Sequence, residues 1–339
     1  MTMARLLSPE EIAVRAGAQV SFLRLPQPTL FAERAMRLRQ LAASHPMRDY
    51  LLFCAELAQI QQEQLQAHFT LETPTTAQIE AAAKEGLPVL DAVLWRRDRV
   101  WIGELRLMMR TLASRIPDGA ARDTALRLAD AEMDEVDQQA DRLLSGVMLG
   151  LDLGTAPLIA AGLQLHWARL VQRTQREHGD QRIAPFGRID DPLSCPCCGS
   201  RPTASVTRIG SEGSGWRYLA CSLCSAEWHY VRIKCTHCQG TKGISFQSLM
   251  AQDDDEAQGE EEERAGAQPP VEVECCETCN HYLKIAHMER DPHVEPMADD
   301  LATLTLDMLI SEAGFQRQGV NLMLLFGDPD APPDPGGSP

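Results

Sequence analysis

The sequence predicts a multidomain α+β protein in which an all-helical N-terminal region is followed by two cysteine-bearing ribbon modules and a C-terminal helix. Three observations carry this. From about residue 28 to 180 the apolar residues recur at helical spacing, and β-type alternation is almost absent. Past Pro185 that period stops and short β-type runs appear between paired cysteines. Ten of the eleven cysteines then fall between residues 195 and 279. With 339 residues, 44% of them hydrophobic, the chain has ample material for folded cores.

The helical region is expected to span residues 1–185. Helices fit Leu30 to Ala43 and Asp49 to Phe69. Leu105, Met108, Met109, Leu112 and Ile116 form a stripe that ends at the turn Pro117-Asp118-Gly119. Leu126, Ala129, Met133, Val136, Ala140, Leu143 and Val147 then predict one amphipathic helix with aspartates on its other faces. The run Arg96-Arg97-Asp98-Arg99 reads as a solvated helix face. Leu143 to Leu165 is apolar, but Asp152, four glycines and Pro157 interrupt it, so two buried helix ends joined at Gly150 to Gly154 are expected, with no membrane span. A last helix fits Ala156 to Arg176, with Thr155 as its cap and Pro157 in its first turn. No apolar secretory segment precedes Pro9, which predicts a cytoplasmic protein.

In the cysteine-rich part, Ala204 to Ile209 and Trp216 to Ala220 flank the Gly/Ser stretch Gly210 to Gly215, as a hairpin requires. Glu227 to Ile233 is a third strand, in which Trp228-His229-Tyr230 reads as partly buried aromatics. The first ribbon is assigned to 186–234 and the second to 235–297. An insertion at 252–268 contains the acidic run Asp253 to Glu263, which offers little to bury and is expected to be disordered. Residues 298–327 hold a C-terminal helix and extension, marked by Leu301, Leu304, Thr305, Met308 and Leu309, with Asp299-Asp300 at the positive end of the helix. A loose Pro/Gly/Asp-rich tail follows at 328–339.

Eight cysteines form four C-x-x-C units, Cys195/Cys198, Cys221/Cys224, Cys235/Cys238 and Cys276/Cys279, separated by 22, 10 and 37 residues. Two residues between thiolates let both sulfurs turn toward one ion, and two such knuckles complete a tetrahedral site. Four pairs therefore imply two tetrahedral thiolate-bound ions, iron or zinc. Gly199 and Gly240 suit turns whose N–H groups point back at sulfur, offsetting the net charge of −2 on four thiolates around a divalent ion. Cys197 and Cys275 sit beside ligand pairs as alternative donors. His229, His237, His281 and His287 are weaker candidates, because eight cysteines already fill both sites. Sequential pairing gives two successive ribbons, and crossed pairing stays open. Disulfides fit poorly with a chain expected to be cytoplasmic that also carries the isolated Cys54.

Charge narrows the function further. The formal net charge is −16, and nearly all of it comes from the last 89 residues, which carry 4 basic and 21 acidic side chains. Residues 191–250 carry 6 basic and 3 acidic ones, too few for a long track along a phosphate backbone. A zinc-ribbon nucleic-acid binder would rest on Arg208, Arg217, Tyr218, Arg232 and Lys234 alone. A rubredoxin-like iron electron carrier is the other alternative. The sequence contains no phosphate-binding Gly-rich loop, no G-x-S-x-G and no H-E-x-x-H, so no catalytic residue is assigned and a non-enzyme is expected.

Several segments together resemble the FdhE family of formate dehydrogenase accessory proteins. They are Cys195-Pro-Cys-Cys-Gly-Ser200, Tyr218-Leu-Ala-Cys-Ser-Leu-Cys-Ser-Ala-Glu-Trp-His229, Val231-Arg-Ile-Lys-Cys-Thr-His-Cys238, Cys276-Glu-Thr-Cys279, Tyr282-Leu-Lys-Ile285 and Ala298-Asp-Asp-Leu-Ala302. The resemblance implies a helical domain followed by tandem rubredoxin-like or zinc-ribbon-like modules. It also implies a cytoplasmic maturation factor that acts on the catalytic subunit of respiratory formate dehydrogenase before export and does not itself oxidise formate. The family's four cysteine pairs fall on the eight cysteines named above. This chain departs from the family pattern in its acidic insertion, its extra thiols Cys197 and Cys275, and Asn321-Leu-Met where Asn-Pro-Phe is usual.

Overall fold

A computed structural model describes residues 20–67, 71–210, 213–249 and 268–324 of the chain. The acidic run Asp253 to Glu263 and the tail at 328–339 lie outside the described residues. Strand β1 (Leu23–Arg24) precedes seven helices: α1 (Leu30–Leu41), α2 (Arg48–Leu65), α3 (Thr76–Glu85), α4 (Val100–Arg115), α5 (Ala120–Asp130), α6 (Met133–Leu144) and α7 (Ala156–His178). Helix α7 is the shaft of this region. From Leu158 to Val171 every side of it is buried, with α2, α4 and α6 packed around it. At Gly162 the approach of α4 is so close that a Cβ would stand 3.0 Å from Leu105 Cδ1.

Several expectations need correction here. The stripe from Leu126 to Val147 is two helices, because Ala131 and Glu132 are extended, with ψ near 152° and 141°. The break frees the Ala131 carbonyl to accept from Arg106 at 2.7 Å. It also swings α6 so that Asp137 and Asp141 reach Arg97 and Asp134 reaches Arg99. Arg97 is thus a buried cation in the loop before α4, not part of a solvated helix face. Thr155 does not cap α7; its hydroxyl donates to Asp152 Oδ2 at 2.9 Å while its own backbone is already helical. Helix α2 ends at Leu65, and α1 passes into a 3-10 turn at Ala42–Ser44. Among the described residues no helix is long and apolar enough to cross a membrane.

The second half contributes β2 (Pro202–Gly210), β3 (Gly213–Cys221), β4 (Glu227–His229), β5 (Ile244–Gln247), β6 (Val271–Cys276), β7 (His281–His287), helices α8 (Pro296–Ala302) and α9 (Leu304–Glu312), and β8 (Gln316–Arg317). The β2–β3 hairpin forms at the Gly/Ser stretch as its composition predicts. The third strand is shorter than expected and stops at His229, leaving Val231 and Ile233 exposed. Trp228 and Tyr230 are buried.

Among the described residues all strands join one sheet in the order β1-β4-β3-β2-β7-β6-β5, and β8 adds to the β7 edge beside β2. Parallel pairing of Ser205–Thr207 with Ile285–His287 fuses the two cysteine-bearing hairpins. The seam carries a buried ion pair: Arg217 of β3 meets both Glu274 oxygens of β6, at 2.7 and 3.1 Å, and also donates to Ser205 Oγ.

The predicted terminal helix is also broken, at Thr303, into α8 and α9. Asp299 and Asp300 lie inside α8, each 2% exposed, where they serve cations in addition to any helix dipole. Arg37 of α1 chelates Asp299 (2.6 and 2.9 Å) and reaches Asp291 (2.7 Å), while Arg34 meets Glu295 at 2.9 and 3.0 Å. Asp300 pairs with Arg317 and Lys284. The C-terminal part is thereby bound to the helical region by charges buried on both sides.

Candidate metal centres

The hairpin that pairs Pro202 with Cys221 brings its two open ends together. The knuckle before β2 (Cys195–Cys198) therefore meets the knuckle after β3 (Cys221–Cys224). The sulfurs of Cys195 and Cys224 stand 3.5 Å apart and those of Cys198 and Cys221 3.4 Å apart. In the second hairpin Cys276 ends β6 and His281 begins β7, so the Cys276–Cys279 knuckle is the turn itself. The Cys235–Cys238 knuckle lies against it, with sulfurs of Cys235 and Cys279 at 3.6 Å and of Cys238 and Cys276 at 3.8 Å. These are two separate four-sulfur groups, each with all its sulfurs within 4.8 Å of one another. Pairing is sequential, first knuckle with second and third with fourth.

Do these groups fit an ion? With metal–sulfur bonds of about 2.3 Å, a tetrahedron has edges of about 3.8 Å, close to the spacings found and far beyond the ~2.05 Å of a disulfide. The backbone is set for the same purpose. Each knuckle is followed by a residue in the left-handed region: Gly199 (φ 73°), Ser225 (59°), Gln239 (60°) and Asn280 (56°). The last three are the non-glycine residues with positive φ among the described residues, a conformation costing roughly 1–2 kcal/mol each. Gly240 does not take that role. It leaves space instead, since a Cβ there would stand 3.3 Å from Cys238 Sγ. Backbone N–H groups reach sulfur at Leu223 (to Cys221, 3.4 Å) and His237 (to Cys235, 3.3 Å).

Electrostatics points the same way. Burial pushes the Cys221 and Cys224 thiols well up, whereas at Cys195 burial is outweighed by the neighbouring S–H donors, which hold it low. A divalent cation among these sulfurs would supply the positive charge that ionised thiolates need in so buried a place. In the second group burial takes Cys235 up to about 12, while at Cys276 it is outweighed by the N–H groups of Cys279 and Thr278, which bring that thiol down to about 7.

The other candidates fall outside the two sulfur groups. Cys197 is fully buried, with its thiol beside those of Cys195 and Cys224 though not one of the four grouped sulfurs, and its carbonyl accepts from Leu90 N–H at 3.1 Å. Cys275 projects from the opposite face of β6 to Cys276 and packs with Val273, Tyr282, Leu306 and Ile310. His229 lies edge-on to Trp216 and Tyr218, and His287 is held between Glu272 and Glu289. His237 and His281 alone among the four approach a ligand pair, beside Cys279.

One part of the first centre had no signature in the sequence. Residues 88–92 of the helical region close over its first knuckle. Leu90 and Ala92 donate to the carbonyls of Cys197 and Cys198, Trp167 of α7 donates to the Leu90 carbonyl at 3.0 Å, and Gln164 donates to Ser222 at 2.9 Å. Gly199 is needed beneath this cover, since a Cβ would come within 3.0 Å of Asp91 Oδ2.

Comparison with known proteins covers nearly the whole chain. Three family models match in order: FdhE, N-terminal, over residues 20–181; FdhE, central domain, over 194–232; and FdhE, C-terminal domain, over 233–324. A protein FdhE homolog of Cronobacter sakazakii is 37% identical over 305 residues, 88% of this chain and 89% of its own length. Protein FdhE of Escherichia coli K12 is 35% identical with the same coverage. Among solved structures, the crystal structure of the FdhE protein from Pseudomonas aeruginosa superposes with a TM-score of 0.70 at 32% identity, covering 93% of this chain and 99% of that one.

Proposed function

The chain belongs to the FdhE family, and from that premise we propose that it is a cytoplasmic accessory factor for respiratory formate dehydrogenase, binding the enzyme's catalytic subunit while active enzyme is assembled and catalysing no reaction itself. The observation that carries this reading is the match of all three family segments in a chain that also assembles both four-cysteine groups. Cys195, Cys198, Cys221 and Cys224 hold one iron or zinc ion in this reading, and Cys235, Cys238, Cys276 and Cys279 hold another. The metal's chief work is to lock the ribbons.

A nucleic-acid role is less well supported. Arg208 and Arg217, two of the five residues it would need, are engaged with Glu227 and Glu274, and Arg217 is 1% exposed. The test uses the tagged full-length chain in cells respiring on formate. The catalytic subunit should co-purify, and a strain lacking the protein should lose formate-linked respiration that cysteine variants fail to restore. Normal formate dehydrogenase activity in that strain, with no related gene present, overturns the proposal.

A further inference from the structure

The second centre has neighbours that the first does not. His237 lies inside one of its knuckles and His281 just past the other, so each knuckle contributes one imidazole. The rings stack with centroids 3.5 Å apart and planes 5° from parallel. A nitrogen of each stands within 4.8 Å of the other and of Cys279 Sγ. At His281 the assignment of nitrogens follows from the hydrogen bond of Nδ1 to the Cys279 carbonyl at 2.7 Å. A carbonyl only accepts, so Nδ1 carries the hydrogen and Nε2 keeps the lone pair that a metal needs. Both side chains border solvent, whereas the first centre is fully buried and has no histidine grouped with it among the described residues.

We propose that His237 and His281 are reserve ligands of the second centre, able to take the place of Cys279 so that the ion is retained while that thiol is released. This rests on the reading of the two sulfur groups as metal centres. Three thiolates and one imidazole form an ordinary tetrahedral set for the same metals. The exchange is redox-neutral: one metal–sulfur bond breaks, one metal–nitrogen bond forms, and the freed thiolate stays ionised or takes a proton from solvent. Two parallel rings cannot both hold a single ion in their planes, so one imidazole binds and the other steers it by stacking. The consequence is a thiol at the edge of the ribbon that can meet a client without the ribbon losing its fold.

Cobalt(II) loading of the full-length chain tests this, with metal content and the visible and charge-transfer absorption as readouts. The unaltered chain should bind two ions in all-sulfur sites. Cys279→Ala, or the milder Cys279→Ser should alanine disturb the turn, should still bind two, with the spectrum of one site changed to three sulfurs and one nitrogen. His237→Ala with His281→Ala should leave the unaltered cysteines at two ions, but added to either Cys279 variant should reduce binding to one. Cys224→Ala with Cys197→Ala, which removes the neighbouring thiol of a centre that has no histidine grouped with it, should bind one. If the Cys279 variants bind only one ion, or keep two regardless of the histidines, the inference falls while the metal reading stands. If the unaltered chain binds none, the metal reading falls with it.

Discussion

The two candidate centres share ligand type, spacing and knuckle turn, yet their surroundings differ throughout. The first has all four cysteines buried and belongs to the same apolar core as Trp101, Trp167 and Trp228. The second stands at the outer end of the sheet, with Cys238 exposed and Cys279 half-buried. Similar local sequence therefore serves two mechanical ends. One centre joins the helical region to the ribbons; the other closes a hairpin on itself. The difference comes from what the rest of the chain supplies, namely residues 88–92 and α7 on one side and solvent on the other.

The largest expected effect would break this comparison if it failed to appear. Cys221→Ser with Cys224→Ser should lose one ion and destabilise the whole molecule, since a structural zinc site is worth roughly 10–16 kcal/mol and this one lies in the common core. Cys235→Ser with Cys238→Ser should also lose one ion but leave helical content and its thermal transition nearly unchanged. Circular dichroism with metal analysis of both variants decides, and equal global losses would refute the asymmetry.

A smaller effect tests how firmly the ribbons are joined. Arg217→Met strands Glu274, whose carboxyl burial already pushes up despite the arginine, and should cost about 3–5 kcal/mol. Adding Glu274→Leu should recover most of that loss in urea denaturation. If the double variant is no better than the single, the pair is not what holds the seam.

The helix behind the first centre predicts a pH dependence. Burial, and then Arg169 and Arg97, push His166 down to about 3. Below its unfolded value near 6.5 the unfolded chain takes up a proton that the folded one refuses. Stability is then complete above pH 6.5 and is lost as pH falls toward 3, by about 1.4 kcal/mol at pH 5.5. His166→Asn should flatten that slope in urea midpoints measured from pH 7 to 5. An unchanged slope would place the acid sensitivity elsewhere.

The smallest effect concerns the knuckle turns, where the centres are most alike. Ser225→Gly and Gln239→Gly should each relieve left-handed strain and raise the melting free energy by up to about 1 kcal/mol, with metal content unchanged. A loss at either position would mean that its side chain matters more than its backbone angle.

Much of this was legible in the sequence because it is local. The four C-x-x-C units, the Gly/Ser turn between β2 and β3, and the apolar run of α7 each declare themselves within a few residues. Helix α3 went unassigned in the sequence, although the capping box of Thr75 with Gln78 and the left-handed Gly86 that ends it are local features. The breaks at Ala131 and Thr303 were not, since the apolar period continues across both and only tertiary partners reveal them. The cover at 88–92 lies more than 100 residues from the cysteines it protects, and nothing in Pro88-Val-Leu-Asp-Ala92 marks it as such. Cys275 shows the same limit, as its place in the core follows from strand alternation that becomes visible only once β6 is known.

The charge pairs between α1 and the C-terminal segment also set a schedule for folding. Arg34 and Arg37 are separated in the chain from Glu295 and Asp299 by 261 and 262 residues. At synthesis rates of about 5–20 residues per second, roughly 13–50 s pass between the appearance of these cations and the arrival of their carboxylates. During that interval the helical region has its core residues but not the counter-charges for this face of α1. The nascent chain therefore keeps a basic surface open on α1 until the segment carrying Glu295 and Asp299 has been made, and the docking of α8 is the step that closes it.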